Sequence, residues 1–147
     1  MPVNQDLSEL FKILFEEKVE YLVIGAHAVS FYTQPRYTKD IDILVNPAKE
    51  NASRVWRALE RFGAPLEDIS LSDFQNEELI YQIGIEPNRI DILMSITGVT
   101  FPEAWKNRIE SRYADIPIYI IGKSELIASK KAVDRPQDRL DVQRLEE

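Results

Sequence analysis

At 147 residues, with 44% hydrophobic and 29% charged side chains, the chain has an ordinary globular composition and enough length to bury a core. No cysteine and a single histidine exclude disulfides and thiolate metal sites, and leave carboxylates as the plentiful metal ligands. A net charge of −7 argues against a broad nucleic-acid-binding surface, while leaving room for a small groove of local positive charge.

The opening MPVNQDLSELFK has neither the basic nor the apolar region of a signal peptide. No apolar run approaches the ~20 residues of a membrane helix. The expectation is a cytoplasmic protein without membrane contacts. With no linker, low-complexity tract or internal repeat, one domain is expected over residues 1–147.

Leu7, Leu10, Phe11, Leu14 and Phe15 recur at helical spacing, with Asp6 as N-cap and Glu9 three residues on. EYLVIG reads as a short buried strand, and AHAVSFYT as a short helix ended before Pro35. KDIDILV is a second strand. Asn46-Pro47 predicts a cap and first turn for KENASRVWRALERF, which Gly63 stops. APLEDISLSDFQNEE is poorly periodic and reads as loop. LIYQIG and RIDILM predict a hairpin across IEPN. FPEAWKNR suggests a short helix and ADIPIYIIG a last strand. Ser124 caps a helix through SELIASKKAV, and Pro136 starts PQDRLDVQRLEE. The sum is an α+β chain: a mixed sheet of about five strands flanked by helices, with a C-terminal helical segment over about 123–147.

Two stretches share an unusual pattern. RYTKDIDILV places Asp40 and Asp42 two apart in an apolar strand, and NRIDILMS places Asp91 in another. Strand side chains alternate, so Asp40 and Asp42 share one face while Ile41 and Ile43 take the other. If the strands are neighbours, three carboxylates converge. Their repulsion would raise their pKa values and destabilise the fold, a penalty that a hard divalent cation removes. The plainer alternative is solvent-facing aspartates on an amphipathic sheet. Upstream, Gly25 sits at a strand–helix turn, where backbone N–H groups can receive phosphate or where the glycine merely turns the chain.

These residues resemble the nucleotidyltransferase superfamily, the polymerase-β-like fold. The matching positions are Ile24-Gly25-Ala26, Asp40-Ile41-Asp42 and Asp91. More narrowly, GAHAVSFYTQPRYTKDIDILV resembles small bacterial abortive-infection (AbiEii-like) and related uncharacterised nucleotidyltransferases. Arg36, Thr38, Asp40 and Asp42 match their Arg-x-Thr/Ser-x-Asp-x-Asp run. Lys130, Arg135-Pro136-Gln137-Asp138 and Asp141 match their C-terminal pattern. The second glycine-motif position is Ala26, which keeps the backbone N–H but loses a serine hydroxyl.

The resemblance implies that Asp40 and Asp42 hold Mg²⁺ (or Mn²⁺) against an NTP, such as ATP. Asp91 then binds a second ion and orients or deprotonates an acceptor hydroxyl. Gly25, Ala26, Arg36, Thr38 and Lys130 become nucleotide contacts. The acceptor is an RNA end, a protein hydroxyl or a small molecule, and a toxin–antitoxin or phage-defence setting with a partner protein is implied. A degenerate nucleotide- or partner-binding module is the alternative, as is a Mg²⁺-dependent phosphohydrolase.

Several of these residues also have structural readings. Lys130 falls in the middle of an apolar helix side defined by Leu126, Ile127 and Val133, where it meets either a triphosphate or a carboxylate. Arg36 binds phosphate or pairs with an acid, and Thr38 orders the turn before its strand. Asp138 and Asp141 hold Lys130 or Arg135 in place, or belong to a solvated helix end. His27, Trp56 and Trp105 read as packing residues.

Overall fold

A computed structural model describes residues 4–34, 40–84 and 89–147. The elements run α1 (Gln5–Glu16), β1 (Tyr21–Ile24), α2 (Gly25–Tyr32), β2 (Ile41–Val45), α3 (Lys49–Phe62), a 3-10 turn at Leu71–Gln75, β3 (Ile80–Ile83) and β4 (Ile90–Leu93). They continue with α4 (Phe101–Lys106), β5 (Ile109–Tyr113), β6 (Ile116–Ile120), α5 (Lys123–Val133) and α6 (Pro136–Glu146).

The sheet has six strands in the order β3-β4-β2-β1-β6-β5. It is mixed: β4 runs parallel to β2 and β1 parallel to β6, while the other three pairings are antiparallel. Helix α1 packs on β6 and α3, whereas α2 packs on β1 and β2 and meets α5 and α6. Leu22, Ile43, Leu44 and Ile92 of the central strands are buried in the core with Leu10 and Leu14 of α1 and Val55 and Leu59 of α3. Burying each such side chain contributes about 1.5–3 kcal/mol. Among the described residues no helix is long and apolar enough to cross a membrane.

The strand missing from the expected five is β5. IESRY carries three polar residues and lies at the sheet edge, with only Tyr113 buried. Its hairpin to β6 turns through Ala114 and Asp115, at φ 48° and 68°. A tight hairpin turn needs positive φ, and the usual glycine marker is absent here. Three caps also differ. Asn4, not Asp6, caps α1: its Oδ1 accepts from the N–H groups of Asp6 and Leu7 at 2.9 and 3.2 Å. Asn46 instead accepts from Ala48 N–H at 3.0 Å, one turn before α3 begins at Lys49. Helix α5 starts at Lys123 after Gly122, ahead of Ser124. The stretch read as loop holds the 3-10 turn, which seats buried Phe74 between Trp56 and Tyr81. Strands β3 and β4 pair antiparallel as expected, while the IEPN connection lies outside the described residues.

Candidate active site

Asp40, Asp42 and Asp91 gain their setting from strand register. Asp42 pairs with Ile24 of β1 on one side and with Asp91 of β4 on the other. Ile41, Ile43, Ile90 and Ile92 are all buried, and anchor both strands in the core. Asp42 and Asp91 thus stand side by side across a parallel pair, and Asp40 lies two residues before Asp42, immediately ahead of β2.

Gly25 follows Ile24 with φ +68°, a conformation that suits glycine. A Cβ built there would lie 2.5 Å from Asp42 Oδ2. The start of α2 is therefore pressed against the Asp42 carboxylate. Ile24 at its N-cap offers no side-chain oxygen, so the first N–H groups of α2 have no side-chain cap.

The electrostatics reflect this crowding. Burial first, then hydrogen bonding and charge from Asp91, and then the charge of Asp40, push Asp42 up to about 6. Arg89 opposes the shift. Its Nε and Nη2 donate to Asp91 Oδ1 and Oδ2 at 2.9 and 3.2 Å, and Nη2 lies 3.2 Å from Asp40 Oδ2. Among the described residues the other Asp40 oxygen, Oδ1, is buried with no hydrogen-bond partner. No group of three or more Asp, Glu or His is already placed to hold a metal ion, again among the described residues. An orphaned carboxylate oxygen and a buried, protonation-prone carboxyl still form a donor set that a hard cation would satisfy.

Asp42 and Gly25 line a cleft of about 280 Å³, together with Lys130 and Arg135. Lys130 points inward, with its side chain 12% exposed, and its Nζ lies 3.3 Å from Asp138 Oδ1 and 3.1 Å from Asp141 Oδ2. Both aspartates are buried. Asp138 also accepts from Arg135 Nε at 2.7 Å and from Arg135 N–H at 3.1 Å. The Arg135 hydrogen bond, aided by Lys130, holds Asp138 down to about 2. Asp138 and Asp141 therefore hold both cations, and Lys130 has carboxylate partners while still lining the cleft. His27 is buried in α2, and burial pushes its pKa down. Trp56 and Trp105 pack on the core. Arg36 and Thr38 lie outside the described residues.

Sequence reasoning missed Arg89. The signal was the matched spacing: Asp40-x-Asp42 and Arg89-x-Asp91 put arginine opposite Asp40 once the two aspartates are aligned in parallel. Ser95 and Thr97, which also line the cleft, had no marker in the sequence.

Residues 1–146 match a family described as a nucleotidyltransferase of unknown function (DUF6036). The chain belongs to that family. No curated protein sequence matches this DUF6036 nucleotidyltransferase significantly. Its fold is similar to that of the lincosamide antibiotic adenylyltransferase LnuA, bound to lincomycin, at TM-score 0.59 and 18% identity over 99% of this chain and 98% of that one. It is also similar to the antibiotic-resistance factor ANT(2'')-Ia, at TM-score 0.59 and 15% identity over 95% and 80% of the two chains. A third likeness is to TM1012 of Thermotoga maritima, itself provisionally a nucleotidyltransferase, at TM-score 0.58 and 17% identity over 95% and 84%.

Proposed function

We propose that this DUF6036 nucleotidyltransferase moves an NMP from an NTP to a hydroxyl acceptor, with Mg²⁺ or Mn²⁺ as cofactor and pyrophosphate as the second product. The observation that carries this reading is the junction of Gly25, at the end of β1 where α2 begins, with Asp42 and Asp91 on the next two strands, beside a cleft that Gly25, Asp42 and Lys130 line.

Asp40, Asp42 and Asp91 would hold the divalent ion, which when bound neutralises triphosphate charge and favours both the attacking and the leaving oxygen. The N–H groups of Gly25 and Ala26, at the start of α2 and without a side-chain cap, bind a phosphate oxygen. Lys130, oriented by Asp138 and Asp141, meets the triphosphate chain. Arg36 and Thr38 add nucleotide contacts on the strength of the motif alone. Asp91 orients the acceptor hydroxyl and takes its proton as the oxygen bonds to the α-phosphorus. The bond from that phosphorus to the pyrophosphate oxygen breaks. Catalysis is mostly positioning and charge stabilisation.

Two of the similar folds belong to proteins described by antibiotic acceptors: lincomycin-bound LnuA, and ANT(2'')-Ia in complex with adenylyl-2''-tobramycin. That favours ATP as donor and a small hydroxyl-bearing molecule as acceptor here, ahead of RNA ends or protein hydroxyls. A second reading, a nucleotide- or partner-binding module without turnover, draws on Ala26 and on the engagement of Asp40 and Asp91 by Arg89.

The deciding experiment supplies each α-labelled NTP with Mg²⁺ and a panel of small-molecule, RNA and protein acceptors. Label transfer with pyrophosphate release, lost in Asp42→Asn, is the expected result. Nucleotide binding without pyrophosphate release in the presence of any acceptor would favour the second reading. Transfer that persists in Asp42→Asn would overturn the assigned site.

A further inference from the structure

Arg89 stands immediately before β4, two residues ahead of Asp91, and the pairing of Ile90 with Ile41 sets it opposite Asp40. Its guanidinium binds Asp91 through two hydrogen bonds, at 2.9 and 3.2 Å, and reaches Asp40 Oδ2 at 3.2 Å. One cation thus neutralises two of the three carboxylates of the cluster. Arginine cannot be deprotonated in a protein, so this positive charge is permanent.

Those oxygens are among the ones a divalent cation would use, beside Asp42 and the Asp40 Oδ1 that is unpartnered among the described residues. A hard ion is held through carboxylate lone pairs, and the N–H groups of Arg89 now use them. Both charges cannot sit on Asp40 and Asp91 at once without strong repulsion. The Arg89 side chain is 29% exposed, against 11% for Asp91, so solvent reaches it. A planar guanidinium suits phosphate as well as carboxylate. Held at the entry to β4 beside Asp91, once displaced it would be released next to the phosphates that arrive with the metal.

On the NTP reading above, we infer that Arg89 is a stored phosphate ligand. It shields Asp40 and Asp91 in the metal-free protein and exchanges them for the nucleotide's phosphates when the divalent cation binds. Arg89 is then a substrate-binding residue as well as a competitor of the metal, and the two roles have opposite signatures.

The test measures Mn²⁺ binding by the loss of the free-ion paramagnetic signal, without nucleotide, for the wild type, Arg89→Gln and Arg89→Lys. A non-hydrolysable fluorescent ATP analogue is then titrated at saturating Mn²⁺. Arg89→Gln should bind Mn²⁺ about tenfold more tightly and the analogue about tenfold more weakly than the wild type. Arg89→Lys, which keeps the charge but loses the two-pronged geometry, should fall between, and it carries the comparison if Arg89→Gln does not fold. Unchanged or weaker Mn²⁺ binding in the variants would show that Arg89 braces the carboxylates rather than competing for them, and would overturn the inference. Unchanged analogue affinity would overturn the phosphate role. If neither wild type nor variants bind Mn²⁺, the metal-dependent reading fails too, a result distinct from equal binding by all three.

Discussion

Asp42 stands in register with Asp91 and two residues from Asp40, half-buried, with its carboxyl pushed from an ordinary 3.8 up to about 6. A carboxyl raised in the folded state keeps its proton there longer than in the unfolded chain. Its contribution to stability is complete below about pH 4 and gone above about pH 6. Without metal, the wild type should therefore lose about 1 kcal/mol relative to Asp42→Asn between pH 4 and 6, since partial exposure weakens the full effect. Denaturant unfolding of both proteins at each pH checks this, and a constant difference would refute it. Added Mg²⁺ should reverse the order, stabilising the wild type and leaving the variant unmoved. Gly25→Ala makes a second residue-scale prediction. The left-handed φ of +68° and the 2.5 Å approach to Asp42 Oδ2 together should cost about 1–3 kcal/mol of stability. Thermal unfolding reads that loss, and nucleotide affinity should fall with it. Asp42, Asp91 and Gly25 were legible in the sequence because aspartate in a strand and glycine at its end are costly choices that need a reason. Arg89 was not, because its role appears only when two strands distant in sequence are laid in register.

Helices α5 and α6 form a latch that brings Lys130 into the cleft. The chain leaves α5 through Asp134, at φ 58°, and the next helix returns Asp138 and Asp141 to Lys130. Asp138 is 1% exposed and receives hydrogen bonds from Lys130 and Arg135. Asp138→Asn removes its charge and should destabilise the fold by about 2–4 kcal/mol, because Lys130 then loses one of its two carboxylates in a buried setting. Since the Asp138 pKa is depressed to about 2, its stabilisation is present above about pH 4 and fades as pH falls toward 2. The difference in unfolding free energy between wild type and variant should shrink over that interval, and a pH series checks it. At this scale the reading from sequence was uneven. Helix faces and the buried strands showed in their periodicity. The edge strand β5 did not, since only Tyr113 is buried, and three caps fell two residues from the expected polar side chain, two of them on Ala48 and Gly122, which offer no capping side chain.

The whole molecule is acidic, with a net charge of −7, and its cleft is lined by Asp42 of the carboxylate cluster and by Asp138. A polyanionic triphosphate therefore meets unfavourable potential unless a metal arrives with it. Mixed sheet order could not be read from composition, because the β2–β4 and β1–β6 pairs are each joined across long stretches of chain. The matched aspartate patterns raised β2 beside β4 only as a condition, and the parallel register of Asp42 with Asp91 meets it. Lys130 and Arg135 contribute positive charge to the cleft, but each already binds Asp138. Neither should suffice to draw in a nucleotide alone. Thermal unfolding with ATP and the other NTPs, in Mg²⁺ or in EDTA, should separate the contributions. With nucleotide at ~100 times its dissociation constant, binding adds about 2.7 kcal/mol, which is roughly 5–10 °C for a chain of this length. That shift should appear with Mg²⁺, vanish in EDTA and vanish in Asp42→Asn. A shift of equal size in EDTA would mean that Lys130 and Arg135 bind the triphosphate without the metal. The carboxylates would then serve the acceptor rather than the nucleotide.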